Sequence, residues 1–227
     1  MLSNLKIRMN CPLCETLLIN KVDDYYYLCP TCGAYVKDKS FYLNTKQEKD
    51  RYEEHNNDVN DLQYQNFTSR ITNAVLEQFN TTHLGLDYGC GTGPVISKIL
   101  KDKGYQILLY DYYFYQNNDY LNYQYDYIFS CEVFEHFYHP KQEIEKLLKL
   151  LKPKGVLLIM THLYNSSIDF KNWYYRKDPT HVFIYTAKTI LFIAKKYMLP
   201  IEKQNDRMII LKKRPTTSYK TNVRSST

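Results

Sequence analysis

The chain has 227 residues, 44% of them apolar, and a formal net charge of +6. That length suits one medium domain with a small appendage, and the apolar share is enough for a packed core. No run of about 18 apolar residues is present, so no membrane-spanning helix and no membrane insertion are expected. Met1 to Asn10 lacks an apolar run, so no signal peptide is expected and a cytoplasmic setting is the default.

Charge is unevenly placed. Nine Lys or Arg residues lie between Lys195 and Thr227 against Glu202 and Asp206, which leaves the rest of the chain at −1. A nucleic-acid partner needs basic surface around the site, so this distribution counts against one.

Residues 1–40 are expected to form a zinc ribbon. Cys11-Pro12-Leu13-Cys14 and Cys29-Pro30-Thr31-Cys32-Gly33 are two CxxC knuckles 14 residues apart. Without a secretion signal, such pairs point to metal before disulfides. Four thiolates close a tetrahedral zinc shell with no open position, so Cys11, Cys14, Cys29 and Cys32 read as structural ligands. A redox-active dithiol is the lesser alternative. Leu17-Leu18-Ile19 and Tyr25 to Leu28, around a turn at Asn20–Asp24, predict a short hairpin between the knuckles. Lys21 and Lys37 are offset by Glu15, Asp23, Asp24 and Asp38. The ribbon therefore offers no phosphate-binding face, and a brace for the main domain or a homodimer contact fits better.

Residues 41–80 read as a helical linker or lid. Its polar stretch 46–63 is a helix of undefined length, with Glu48, Tyr52, Glu53, His55 and Asn56 as a polar cluster. A solvated helix face is the plainer alternative for that cluster. Ile71, Val75, Leu76 and Phe79 predict a second helix over 68–79.

Residues 81–212 alternate strands and helices. Strands are predicted at 84–88, 105–110, 125–131 and 156–161, with helices at 95–103, 141–151 and 187–197. Lys152–Gly155 reads as a turn. Ile201–Gln204 and Met208–Leu211 are two short strands that could pair. The pattern predicts an α/β fold, a Rossmann-like parallel sheet with right-handed crossovers. Residues 213–227 read as a disordered basic tail.

Leu86-Asp87-Tyr88-Gly89-Cys90-Gly91-Thr92-Gly93 carries the chemistry. Gly89, Gly91 and Gly93 follow a strand and open a helix, where the missing Cβ lets backbone approach a ligand. The spacing is GxGxG, not the GxGxxG of dinucleotide enzymes. Asp87, two residues before the loop, suits a cationic amino acid moiety better than a pyrophosphate. Asp111, at the end of the second strand, can accept both ribose hydroxyls; a strand-end turn is the alternative.

With these residues the sequence resembles the class I S-adenosylmethionine-dependent methyltransferases over about residues 66–212. Tyr125 to His136 resembles the E-V-x-E-H block of ubiquinone-type O-methyltransferases, and Leu151–Val156 resembles their L-K-P-G-G turn. The whole chain is similar to a bacterial group of zinc-ribbon methyltransferases. The resemblance implies a class I sheet and S-adenosylmethionine as cofactor. It places Asp87, Gly89, Cys90, Gly91, Gly93, Asp111, Tyr112, Cys131 and Glu132 around that cofactor, with Tyr52 and His55 in a covering helix. It also implies a possible divalent cation at Glu132, Glu135 and His136, where the i, i+3, i+4 spacing puts all three on one helical face.

Only 13 residues separate Asp111 from Tyr125, where the family fits a helix, a third strand and another helix. The sheet is therefore shortened between its second and fourth strands. Asn118–Leu121 is the candidate for a vestigial strand, with Asp119 near the adenine. After the fifth strand, Asp169 to Val182 is an insertion beyond the strands' carboxyl ends, where substrates bind. His181 is its candidate general base, with His162, His136 and Glu132 as further catalytic candidates. Packing within the lid is the plainer alternative for its aromatics. The leading expectation is methyl transfer to a small-molecule acceptor. The alternatives are an RNA methyltransferase that grips through ribbon and tail, and a non-catalytic zinc and cofactor-binding module.

Overall fold

The computed structural model describes residues 9–54 and 58–215. His55, Asn56 and residues 216–227 of the predicted tail lie outside them. Lys213 is anchored, its ammonium donating to the Leu148 and Leu151 carbonyls. In chain order the elements are β1 (Met9–Asn10), β2 (Leu17–Leu18), β3 (Tyr26–Leu28), β4 (Tyr35–Lys37), α1 (Thr45–Glu53), α2 (Leu62–Gln78), β5 (Leu84–Tyr88), α3 (Val95–Lys101), β6 (Gln106–Tyr110), β7 (Tyr125–Cys131), α4 (Pro140–Leu150), β8 (Leu151–Met160), α5 (Tyr174–Lys177), β9 (Phe183–Ile184), α6 (Ala187–Lys196), β10 (Ile201–Gln204) and β11 (Met208–Lys212).

Six strands form the central sheet in the order β10-β11-β8-β7-β5-β6. β6, β5, β7 and β8 run parallel, and the β10–β11 hairpin adds antiparallel at the β8 edge. The period-2 alternation of strands feeds two cores. Ile128, Leu157, Ile159, Ile209 and Leu211 face α4 and α6 through Ile144, Leu147, Ile190 and Ile193. Tyr127, Phe129, Leu158, Met160 and Ile210 face α2 and α3 through Ile71, Val75, Ile96 and Leu100. Helices thus cover both faces, as a buried parallel sheet requires.

The predicted shortening is a complete deletion among the described residues, because no strand lies between β6 and β7. Asn118–Asn122 is a 3₁₀ turn capped by Asn117, not a vestigial strand. Tyr120 is buried there, its ring 4.1 Å from that of Tyr110. Asp119 is exposed, accepts from the Asn117 side chain and does not line the cavity described below. α2 begins at Leu62 behind the Asp61 cap, six residues earlier than its apolar spacing indicates. Lys152–Gly155 is an irregular stretch of β8, with Lys154 at φ 67°, instead of a separate turn.

The N-terminal module also differs from expectation. Leu17-Leu18 pairs with Met9-Asn10, so each knuckle closes its own hairpin. Between the knuckles only a short bridge remains, Lys21 opposite Tyr27. β4 then pairs with β9, which makes the ribbon part of the insertion that follows β8. A part-buried ion pair reinforces that seam, Arg176 donating to Asp23 at 2.6 Å. Burial pushes the Asp23 carboxyl up, but the Arg176 hydrogen bond and two backbone N–H donors more than offset it and hold it low. Arg176→Met removes the charged partner of this carboxylate but leaves its two backbone donors, so urea unfolding should show a loss of about 2 kcal/mol. A loss under about 1 kcal/mol would mean that the seam does not depend on the pair.

Candidate functional site

The four ribbon cysteines converge. Cys11 Sγ lies 3.6 Å from Cys32 Sγ and Cys14 Sγ 3.3 Å from Cys29 Sγ, all four sulfurs within 4.8 Å. Zinc at about 2.3 Å from each sulfur requires S···S edges of about 3.8 Å, so the set fits a ZnS4 centre. Both knuckles close alike: Glu15 donates to the Cys11 carbonyl and Gly33 to the Cys29 carbonyl. The residue after each second cysteine is left-handed, Glu15 at φ 65° and Gly33 at φ 75°.

The glycine loop joins β5 to α3 at the carboxyl edge of the sheet. Gly89 (φ 84°) and Gly91 (φ 63°) adopt the backbone region that favours glycine. A Cβ on Gly89 would strike both methyls of Val133, so the loop is pressed against the end of β7. Asp111 organises the loop from β6. One oxygen accepts from Gly91 N at 2.9 Å, and the other accepts from Tyr113 N and Phe114 N. A carboxylate offers about four lone-pair sites, so one remains for a ligand hydroxyl, not two.

Asp87 is placed differently from its neighbours. It is buried behind the loop, accepts from Ser97 Oγ at 2.6 Å, and is absent from the cavity wall. Burial pushes its carboxyl up to about 7. Gly93 also lies off the wall, whereas Gly89, Cys90, Gly91, Asp111, Tyr112, Cys131 and Glu132 line it.

At the end of β7 the chain turns through Glu132 at φ 52°, a strained conformation for a non-glycine residue. Its Oε1 has no hydrogen-bond partner and lies 3.8 Å from Arg207. Burial pushes its carboxyl well up; Glu135 adds to this and Arg207 opposes it. Glu135 is fully buried, and its Oε2 accepts from Thr161 Oγ1 at 2.9 Å. Its Oε1 is unpartnered, 4.0 Å from His181 Nε2. The rings of His136 and His181 meet edge to face at 4.8 Å. Burial, with His136 alongside, pushes His181 down to about 3.

The structure thus groups Glu135 and His136 with His181, while Glu132 turns to Arg207. His162 stands apart, off the cavity wall beside Arg207 and Tyr174. Burial, then the Arg207 charge, pushes it down to about 4. Sequence reasoning gave Arg207 and Thr161 no role at the site, and placed Tyr175 only within the insertion over the substrate. Arg207 carries no local signal, since it sits in the β10–β11 turn and arrives only by strand pairing.

These residues surround one cavity of about 960 Å³. Twelve wall residues are Tyr or Phe, Tyr52, Tyr64, Phe67 and Tyr175 among them, so the wall is flat and apolar over much of its area. The wall's charged residues are Glu48, Asp111, Glu132, Glu143 and Asp178 against Arg51, Lys146 and Lys177, an acidic balance unsuited to a phosphate backbone. Glu48 is itself buried and accepts from Tyr52 and Tyr113 hydroxyls. No helix among the described residues is long and apolar enough to cross a membrane.

Known structures share this fold. An O-methyltransferase family protein from Burkholderia thailandensis matches 79% of this chain and 63% of its own, with 11% identity and a TM-score of 0.52. Human N-acetylserotonin methyltransferase matches 74% and 57%, with 15% identity and a TM-score of 0.53. The [4+2]-cyclase SpnF matches 70% and 85%, with 15% identity and a TM-score of 0.52. The chain therefore spans about three fifths of the first two. Identity this low shows the fold alone, and a cyclase among the matches shows that the fold does not dictate the reaction. The comparison with curated proteins finds no match. A family profile described as a methyltransferase domain matches residues 61–200, from the start of α2 to the end of the β-sheet's last crossover. The chain belongs to that methyltransferase-domain family.

Proposed function

We propose that the protein transfers a methyl group from S-adenosylmethionine to a small aromatic or lipid-like acceptor. The observation that carries this reading is the cavity that opens on the glycine loop and continues between aromatic walls. Its volume lies near the top of the ~300–1,000 Å³ range of ligand pockets, room for a nucleoside cofactor and a second molecule. The cofactor supplies a methyl already activated on a sulfonium. The protein's task is positioning and exclusion of water. Gly89 and Gly91 let backbone approach the amino acid end, and Asp111 offers its spare lone pair to the ribose. Glu135, His136 and His181 mark where a hydroxyl acceptor would lose its proton. The acidic balance of the wall favours a small molecule over RNA. The four-cysteine centre is assigned to structural zinc.

Calorimetry with S-adenosylmethionine tests the cofactor. No binding by folded, zinc-loaded protein would remove the reading. Binding should also depend on pH. A bound cation favours the ionised form of Asp87 beneath the loop. Below its value of about 7 the carboxyl must release a proton for that gain; above it the charge is already there. Affinity should therefore rise severalfold from about pH 6 to about pH 8. Asp87→Asn should flatten the profile, and an unchanged slope in that variant would exclude Asp87 as its source.

A further inference from the structure

We propose that Glu135, His136 and His181 bind a divalent first-row metal ion, separate from the cysteine centre and distinct from the Glu132/Glu135/His136 set that sequence spacing indicates. One ligand atom from each of the three lies within 4.8 Å of the others. Their hydrogen bonds decide which atoms are free. His136 Nδ1 faces the Thr180 carbonyl at 3.1 Å, and His181 Nδ1 faces the Tyr175 carbonyl at 2.6 Å. A carbonyl only accepts, so each Nδ1 carries the proton and each Nε2 is left as a lone pair. Thr161 occupies Oε2 of Glu135, which leaves Oε1, fully buried, without a donor. Oε1 and His181 Nε2 thus face each other at 4.0 Å as two acceptors.

Buried acceptors that face each other lose free energy unless a proton or a cation sits between them. A cation satisfies all three at once. Ligands held at about 2.1 Å sit about 3.0–3.4 Å apart, so each atom need move inward by no more than about 0.8–1.0 Å. Each ligand already has the outer partner that metal-binding histidines and carboxylates require. Two imidazoles and one carboxylate, with no thiolate, suit iron(II), manganese(II) or a similar ion. His136 and His181 line the cavity while Glu135 lies behind them, which leaves open positions on the cavity side. Glu132 is outside the set because its carboxylate is turned to Arg207.

Titration of the zinc-loaded protein with Mn2+, followed by the loss of the free-ion paramagnetic signal, tests this without cofactor or acceptor. Its outcome is therefore independent of the methyl-transfer reading. One Mn2+ per chain should bind beyond the zinc. His181→Ala and Glu135→Gln should each weaken it at least about tenfold, whereas Glu132→Gln should leave it within about twofold. Thr161→Val, which keeps all three ligands, should weaken it by a smaller factor. Near-ultraviolet circular dichroism and Tm of each variant report that the fold is intact. No stoichiometric Mn2+, or a site lost with Glu132→Gln and kept with His181→Ala, overturns the proposal.

Discussion

Replacing Cys11 and Cys29 by Ser should abolish zinc binding and release the lid as well as the ribbon. The ribbon's own strands are two or three residues long and could not persist alone. Zinc bound by such modules contributes about 10–16 kcal/mol in isolated peptides, so the module should unfold without it. The effect should then spread along named contacts. Tyr26 donates to the His181 carbonyl at 2.6 Å, and Lys37 caps the carbonyls of Asp178 and Pro179. Lys37 N donates to the Val182 carbonyl, while Val182 N donates to the Glu135 carbonyl. One strand of ribbon therefore fixes both sides of the histidine cluster. Hydrogen exchange at Phe183 and Ile184 should accelerate, and Tm should fall by more than about 10 °C, given about 2–4 °C per kcal/mol at this size. β5 to β8 should keep their protection. If chelated wild-type protein in reducing buffer keeps both its Tm and its β9 protection, zinc does not hold this seam.

Gly89→Ala should lower S-adenosylmethionine affinity about a hundredfold, close to 2.7 kcal/mol. Two costs combine. A left-handed backbone costs an alanine about 1–2 kcal/mol. The new Cβ must also displace Val133, whose farther methyl would lie at 2.7 Å. Val133 follows the strained Glu132, so the displacement is transmitted to the cavity floor. The alternative, a flattened loop at Gly89, would disturb the two backbone N–H groups that donate to the Tyr110 carbonyl. The double variant Gly89→Ala, Val133→Ala should recover part of the affinity, because it removes the clash and leaves the backbone cost. Calorimetry reads both, and binding by Gly89→Ala within threefold of wild type would show that the loop does not contact the cofactor.

The sequence already determined what local pattern can carry. Two CxxC pairs announce a four-thiolate centre because ligand spacing within a knuckle is short-range. The strands β5 and β7 fall where alternation and the glycine loop place them, since a parallel strand is a self-contained apolar run. The 13-residue gap after Asp111 reports a missing strand because one crossover fits in so few residues, but two crossovers with a strand between them do not. Tertiary structure decided the rest. Spacing alone grouped Glu132 with Glu135 and His136, on the assumption of a helical face. The chain instead leaves β7 with Glu132 at positive φ and enters only a single 3₁₀ turn at Phe134–His136, which sends that carboxylate to Arg207. The third member, His181, comes from 45 residues downstream, held there by a ribbon from the other end of the chain. The sequence ranks His181 ahead of His162 by its place in the insertion alone, with no sign of the contacts that hold either ring. The His181 ring meets the Tyr175 carbonyl, whereas the His162 ring meets the Tyr174 hydroxyl and Arg207, and the pairing of β4 with β9 braces the first arrangement.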